Sequence, residues 1–124
     1  MKRLILVVAV LALMLPVAAR ADSALAHADL AASDGEWIEA LCWYEIAGEE
    51  GTVRAQETVA FMYLNGERLF PGVERNVALA KAWYYRAEAQ GSAMARRMLA
   101  DIERSPLDGS SPPVAAAEAA APVR

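Results

Sequence analysis

The sequence predicts an all-α fold, a short α-solenoid of antiparallel helix pairs, and three observations carry that expectation. Trp43-Tyr44, Ala47, Gly51 and Ala55 recur forty residues later as Trp83-Tyr84, Ala87, Gly91 and Ala95, and periods of about 20 to 50 residues mark repeat architectures. Within each copy the apolar residues fall at i, i+3, i+4 and i+7, the stripe of an amphipathic helix. No strand pattern, with its alternation of apolar and polar residues, competes anywhere in the chain.

The first residues read as an address. Lys2 and Arg3 precede the uncharged run Leu4 to Leu15, which ends at Pro16 and leads into the small-x-small sequence Ala19-Arg20-Ala21. The run has twelve residues, whereas a spanning helix needs about 20. A signal peptide over residues 1–21 is therefore expected, cleaved after Ala21, with Val17-Ala18-Ala19 and Ala24-Leu25-Ala26 as other cleavage sites. The mature chain is then exported, periplasmic or secreted, with no stable membrane span. Removing Lys2, Arg3 and Arg20 leaves nine bases against sixteen acids, a net charge of −7. An acidic domain of this kind excludes nucleic acid as a partner.

The helices follow in order. Asp22 to Ala32 carries Leu25, Ala28, Asp29 and Ala32 on one stripe and is expected to pack as a short cap. Glu36 to Gly48 aligns Ala40, Trp43, Tyr44 and Ala47, and Gly51 ends the run. Arg54 to Asn65 aligns Ala55, Val59, Met62 and Tyr63, with Asn65-Gly66 as a left-handed stop. Asn76 is the expected N-cap of a helix carrying Ala80, Trp83, Tyr84 and Ala87 up to Gly91. Ser92 to Arg104 closes the domain with Ala95, Met98, Leu99 and Ile102. Small and aromatic residues alternate in both Trp-Tyr helices, as close helix packing demands, and the four rings are the expected core anchors. From residue 105 the chain turns rich in Ser, Pro and Ala and is expected to be a disordered tail, so the folded domain spans residues 22–104.

These residues resemble the Sel1-like repeat family, helical pairs related to tetratricopeptide repeats. The resemblance rests on Ala55, Tyr63, Gly66, Gly72-Val73, Asn76, Ala80, Trp83-Tyr84, Ala87 and Gly91 as one full repeat. Ala40, Trp43-Tyr44, Ala47 and Gly51 before it, and Ala95 after it, are partial copies. The chain departs from the family pattern at Val59-Ala60, where Leu-Gly is usual, and at Asn76, where an acid is usual. It departs most between Gly66 and Gly72, where Glu67-Arg68-Leu69-Phe70-Pro71 lengthens the loop. Some relatives in the family carry a Cys pair in each repeat. This chain has Cys42 alone, so activities tied to that branch are not implied.

Function follows from what the residues offer. One His and one Cys cannot furnish a zinc site, and neither Ser23 nor Cys42 sits in a nucleophile motif, so no metal, cofactor or catalytic group is expected. His27 reads as solvated, Cys42 as a small buried apolar residue, and Glu45 with Glu49 as a solvated face rather than an acid/base pair. Charge is unevenly spread: eight acids and no Lys or Arg lie between Asp22 and Glu50, and eight bases against six acids between Arg54 and Arg104. The resemblance implies an adaptor that binds a protein or peptide. Docking is expected on the groove lined by the first helices of each pair, with Phe61, Leu64, Leu69 and Phe70 as anchors. Leu69 and Phe70 are the apolar residues hardest to place in the repeat core, and if the long loop stays exposed they form a knob beside Phe61 and Leu64 of the neighbouring helix. A self-associating module of the cell envelope is the alternative, because stacked repeats usually need about three copies to be stable. An enzyme acting on cell-wall or lactam substrates is a third class, without residues to support it.

Overall fold

The computed structural model describes residues 17–105. The apolar run Leu4 to Leu15 and the tail beyond residue 105 lie outside them. Five α-helices follow one another: α1 (Val17–Ser33), α2 (Trp37–Glu49), α3 (Val53–Asn65), α4 (Val77–Ala89) and α5 (Ala93–Arg104). A short 3-10 turn, Gly66–Arg68, continues α3 into the one long loop. Each helix packs on its chain neighbour, α1 on α2, α2 on α3, α3 on α4 and α4 on α5, and no strand occurs among the described residues. The all-helical expectation thus holds, and the boundaries fall within a residue or so of those expected for α2 to α5.

The burial pattern repeats along the chain. Helix α3 buries Ala55, Val59 and Met62; α5 buries Ala95, Leu99 and Ile102; α1 buries Ala24, Ala28 and Ala31. All three follow i, i+4, i+7. In α2 and α4 the same spacing buries Ala40, Tyr44, Ala47 and Ala80, Tyr84, Ala87, with Gly48 and Trp83 buried beside them. In α1 the stripe is all alanine, extended by buried Ala21, so its backbone can lie close against α2. Helix α1 is longer than the cap expected, and it runs through the junction between Ala21 and Asp22. Of the four aromatic anchors, Tyr44, Trp83 and Tyr84 are buried, whereas Trp43 is half-buried and stacks on exposed His27 with ring centroids 4.8 Å apart.

Three of the turns are built alike. Gly35, Gly51 and Gly91 adopt φ of 78°, 95° and 94°. In each, the glycine N–H donates three residues back and the next N–H donates five back: Gly35 to Ala32 and Glu36 to Ala31, Gly51 to Gly48 and Thr52 to Ala47, Gly91 to Glu88 and Ser92 to Ala87. This is the paired bonding that satisfies orphan carbonyls when a helix ends in a left-handed residue. The next helix starts at once, and after Gly91 it is capped by the Ser92 hydroxyl accepting from the Ala95 N–H at 2.9 Å; α4, which follows the long loop, is capped by the Asn76 side chain accepting from the Leu79 N–H at 3.0 Å. Gly48 has a different task. A Cβ there would stand 2.8 Å from the Trp83 ring, so α2 lacks a side chain where the α4 indole lies against it.

Candidate functional site

The long loop folds back on the helices. The Phe70 N–H donates to the Gly66 carbonyl at 2.9 Å, Val73 to Phe70 at 3.0 Å, and Asn76 to Tyr63 at 2.8 Å. Buried Val73 plugs the loop into the core. Gly66 is required here, because a Cβ would meet the Arg75 backbone at 2.6 Å. Phe70 meets Trp37 and Phe61 edge-on at 5.2 and 5.8 Å, and both Phe70 and Leu64 pack against the core. Only Phe61, 41 % exposed, and Leu69, 46 % exposed, of the four expected anchors face solvent openly. Ile38 joins them beside Gly72, whose Cβ would lie 2.9 Å from its Cδ1. The four therefore do not form one exposed knob: two close the loop and two edge a small apolar patch.

A larger concavity lies elsewhere, between α2 and α4, with a volume of about 860 Å3. Cys42, Glu45, Ile46 and Glu49 line one wall, joined by Glu50 at the helix end. Leu79, Ala82, Trp83 and Arg86 line the other, and Tyr63 of α3 contributes between them. Each wall is an i, i+3, i+4, i+7 stripe; on α4 it lies beside the buried stripe, and on α2 it is the face opposite the buried one. Cys42 is exposed here, against the expectation of burial. It lies two residues from both Ala40 and Tyr44, which puts it on the far side of α2 from the stripe of Ala40, Tyr44 and Ala47 that turns to the core. Ile46 and Leu79 are also exposed, so the groove has open apolar surface on both sides.

Hydrogen bonds fix the charged groups of this groove. The Tyr63 hydroxyl donates to Glu45 Oε1 at 2.6 Å, and Arg86 grips Glu49 in two contacts of 2.7 and 2.8 Å while its guanidinium lies 4.7 Å over the Trp83 ring. The Arg86 hydrogen bonds hold the Glu49 carboxyl below the usual carboxylate range. Burial, and then Glu45, push the Tyr63 phenol up to about 12, so it stays a neutral donor. A second cluster ties α1 to its neighbours: the Tyr44 hydroxyl and the Arg54 guanidinium both donate to Asp29, at 2.6 and 2.8 Å. Cross-helix pairs Asp29–Arg54 and Glu49–Arg86 thus join the acidic first half of the chain to its basic second half.

No family model, curated protein or solved structure matches this chain. The groove lies between the two Trp-Tyr helices, but none of its lining residues is among the four expected anchors, which centre on the long loop. The signal that would have found them is apolar residues on the faces outside each buried stripe. Ile46 and Leu79 are apolar there, although neither belongs to a core position. Among the described residues, no group of three His, Cys, Asp or Glu could hold a metal ion, and no helix is long and apolar enough to cross a membrane.

Proposed function

We propose that this chain is an exported helical-repeat adaptor of the Sel1-like type, binding a protein or peptide partner through the groove between α2 and α4. The observation that carries the reading is the groove itself, about 860 Å3 with Ile46 and Leu79 open to solvent on facing walls. Open apolar surface in a concavity is disfavoured unless something covers it. Support for the repeat type comes from the forty-residue recurrence of buried positions and of the glycine turns at Gly51 and Gly91. Export rests on Lys2, Arg3 and the apolar run before Ala21. The reading assigns no catalytic step to Glu45 or Glu49, since each is engaged as an acceptor, by Tyr63 and Arg86.

Self-association by stacking is the weaker reading. The outward side of α5 carries exposed Arg96, Arg97, Asp101 and Arg104, a charged surface of the sort that closes a stack rather than extending it. The direct test is photocrosslinking in the exporting cell with a photoreactive residue at position 46, and with one at position 97 as control. A discrete adduct from position 46 and none from position 97 is the expected outcome. Adducts from neither 46 nor the loop position 69 would remove the adaptor reading.

A further inference from the structure

The groove is not neutral, and its imbalance selects among partners. Of its four ionisable groups with fixed charge, Glu49 and Arg86 neutralise each other through two hydrogen bonds. Glu45 has only the neutral phenol of Tyr63 as its partner, and Glu50 has no cationic partner among the described residues. Two carboxylates therefore remain uncompensated on the α2 wall. Facing them, the α4 wall offers Leu79, Ala82 and the edge of Trp83.

We propose that the groove takes an extended segment of a partner protein in which two Lys or Arg residues flank an aliphatic one. Charge commits it to that chemistry, and spacing permits it. Glu45 and Glu50 are five residues apart on or at the end of α2, about 7.5 Å along the axis and about 140° around it at the usual helical geometry, a gap that the long flexible stems of two Lys or Arg side chains bridge. In an extended peptide, residues i and i+2 lie about 6.6 Å apart and point to the same side, while i+1 points to the other. A basic-aliphatic-basic segment running along the groove sends both cations to Glu45 and Glu50 and its aliphatic side chain to Leu79 and Trp83. Ile46, exposed between the two acids, covers the stems of the basic side chains. A partner with the opposite charge pattern meets two unpaired carboxylates instead, the repulsive element that specificity requires.

The inference rests on the adaptor reading, and one set of titrations separates the two. The full chain, recovered after export, is titrated by fluorescence polarisation with fluorescein-labelled Gly-Lys-Leu-Lys-Gly, Gly-Glu-Leu-Glu-Gly and Gly-Lys-Gly-Lys-Gly. The first binds; the second does not; the third binds more weakly. Glu45→Gln and Glu50→Gln each weaken the first probe about threefold, the range of exposed ion pairs, and raising the salt weakens it further. Gln at 45 still accepts the Tyr63 hydrogen bond, and the Glu50 carboxylate holds no ion pair among the described residues, so these variants keep their fold. Unchanged melting temperatures verify that. Ile46→Ser weakens the same probe about tenfold through lost apolar cover. Equal binding of the Lys and Glu probes, or no effect of either Gln substitution, overturns the inference. Loss of binding on Leu69→Ser alone overturns it too, by placing the peptide on the loop patch. No binding of any probe together with a retained crosslink from position 46 sinks this inference and leaves the adaptor reading standing. Absence of both removes the two together.

Discussion

Replacing Tyr84 by Phe is predicted to stabilise the domain, whereas the same change at Tyr44, its equivalent forty residues earlier, destabilises it. Tyr44 sits over a ready acceptor: its hydroxyl donates to Asp29 at 2.6 Å, and Arg54 holds that carboxylate in place. Following the repeated burial register, the positions matching Asp29 and Arg54 around Tyr84 are Ala60 and Met94. The Tyr84 ring is fully buried, and its hydroxyl has no hydrogen-bond partner among the described residues. Glu57, whose charge acts on it, is engaged with the Ser92 hydroxyl instead. Burial first, and Glu57 second, push the Tyr84 phenol up to about 12. An unsatisfied buried hydroxyl costs about 1–3 kcal/mol. Deleting it recovers most of that, less a small loss for the space the oxygen leaves, so Tyr84→Phe gains about 1 kcal/mol. For a domain of this size that raises the melting temperature by about 4–8 °C. Tyr44→Phe gives up a hydrogen bond to a charged group that is partly exposed, and loses about 1.5 kcal/mol. Thermal and urea melts followed by circular dichroism measure both. If Tyr84→Phe destabilises as much as Tyr44→Phe, the hydroxyl has a partner and the asymmetry argued here is false.

Three further outcomes follow from other parts of the fold. Gly48→Ala should destabilise by about 1–3 kcal/mol despite the better helix propensity of alanine, because the added methyl meets the Trp83 ring at 2.8 Å; a stabilised variant in a urea melt would show that the indole moves freely. Stability should be flat from pH 7 to 5 and fall below about pH 4. Asp29 and Glu49 have lowered carboxyl pKa values in the fold, held by Tyr44 and Arg54 and by Arg86; their stabilisation is therefore present above the unfolded value and lost as pH drops through the folded one. Both side chains are well exposed, so the fall is shallow, and Arg54→Ala with Arg86→Ala should flatten it in urea midpoints taken across pH. The chain from Asp22 onward should run as a monomer in light scattering up to high concentration, given the charged outward face of α5; a concentration-dependent dimer argues for stacking instead.

Much of the scaffold was legible in the sequence because one physical requirement fixes it. A helix that packs on both its chain neighbours must repeat small and aromatic residues at helical spacing, and a tight turn between such helices must place glycine where φ is positive. Trp43-Tyr44 with Trp83-Tyr84, and Gly51 with Gly91, carry that requirement openly. Gly35 carries it too, but its helix α1 has alanine where the others have Val, Leu, Met or Ile, so the stripe Ala24, Ala28, Ala31 lacked contrast against an alanine-rich background. The weak signal arises from the function of alanine there: close approach needs small size, and small size carries little hydropathy.

The residues that line the groove were harder to foresee than the helices that flank it, for a related reason. Periodicity reports which face a helix buries, and it is silent on what two helices make when their unburied faces meet across a third. Ile46 and Leu79 fall outside the core stripe of their own helices, and only the packing of α2, α3 and α4 sets them opposite one another with Tyr63 between. Leu69 and Phe70, by contrast, attracted notice as departures from the repeat, with Phe61 and Leu64 as their neighbours on α3; Phe70 closes the long loop onto Trp37, and it and Leu64 pack against the core. An insertion has to satisfy its own backbone and bury its own apolar side chains before it can serve a partner, and this one spends Phe70 doing so. The repeated helices have already met that demand with their core stripes, which leaves the faces outside those stripes free to vary. The acidic and aliphatic residues placed there, rather than the interruption of the repeat, therefore carry the case for function.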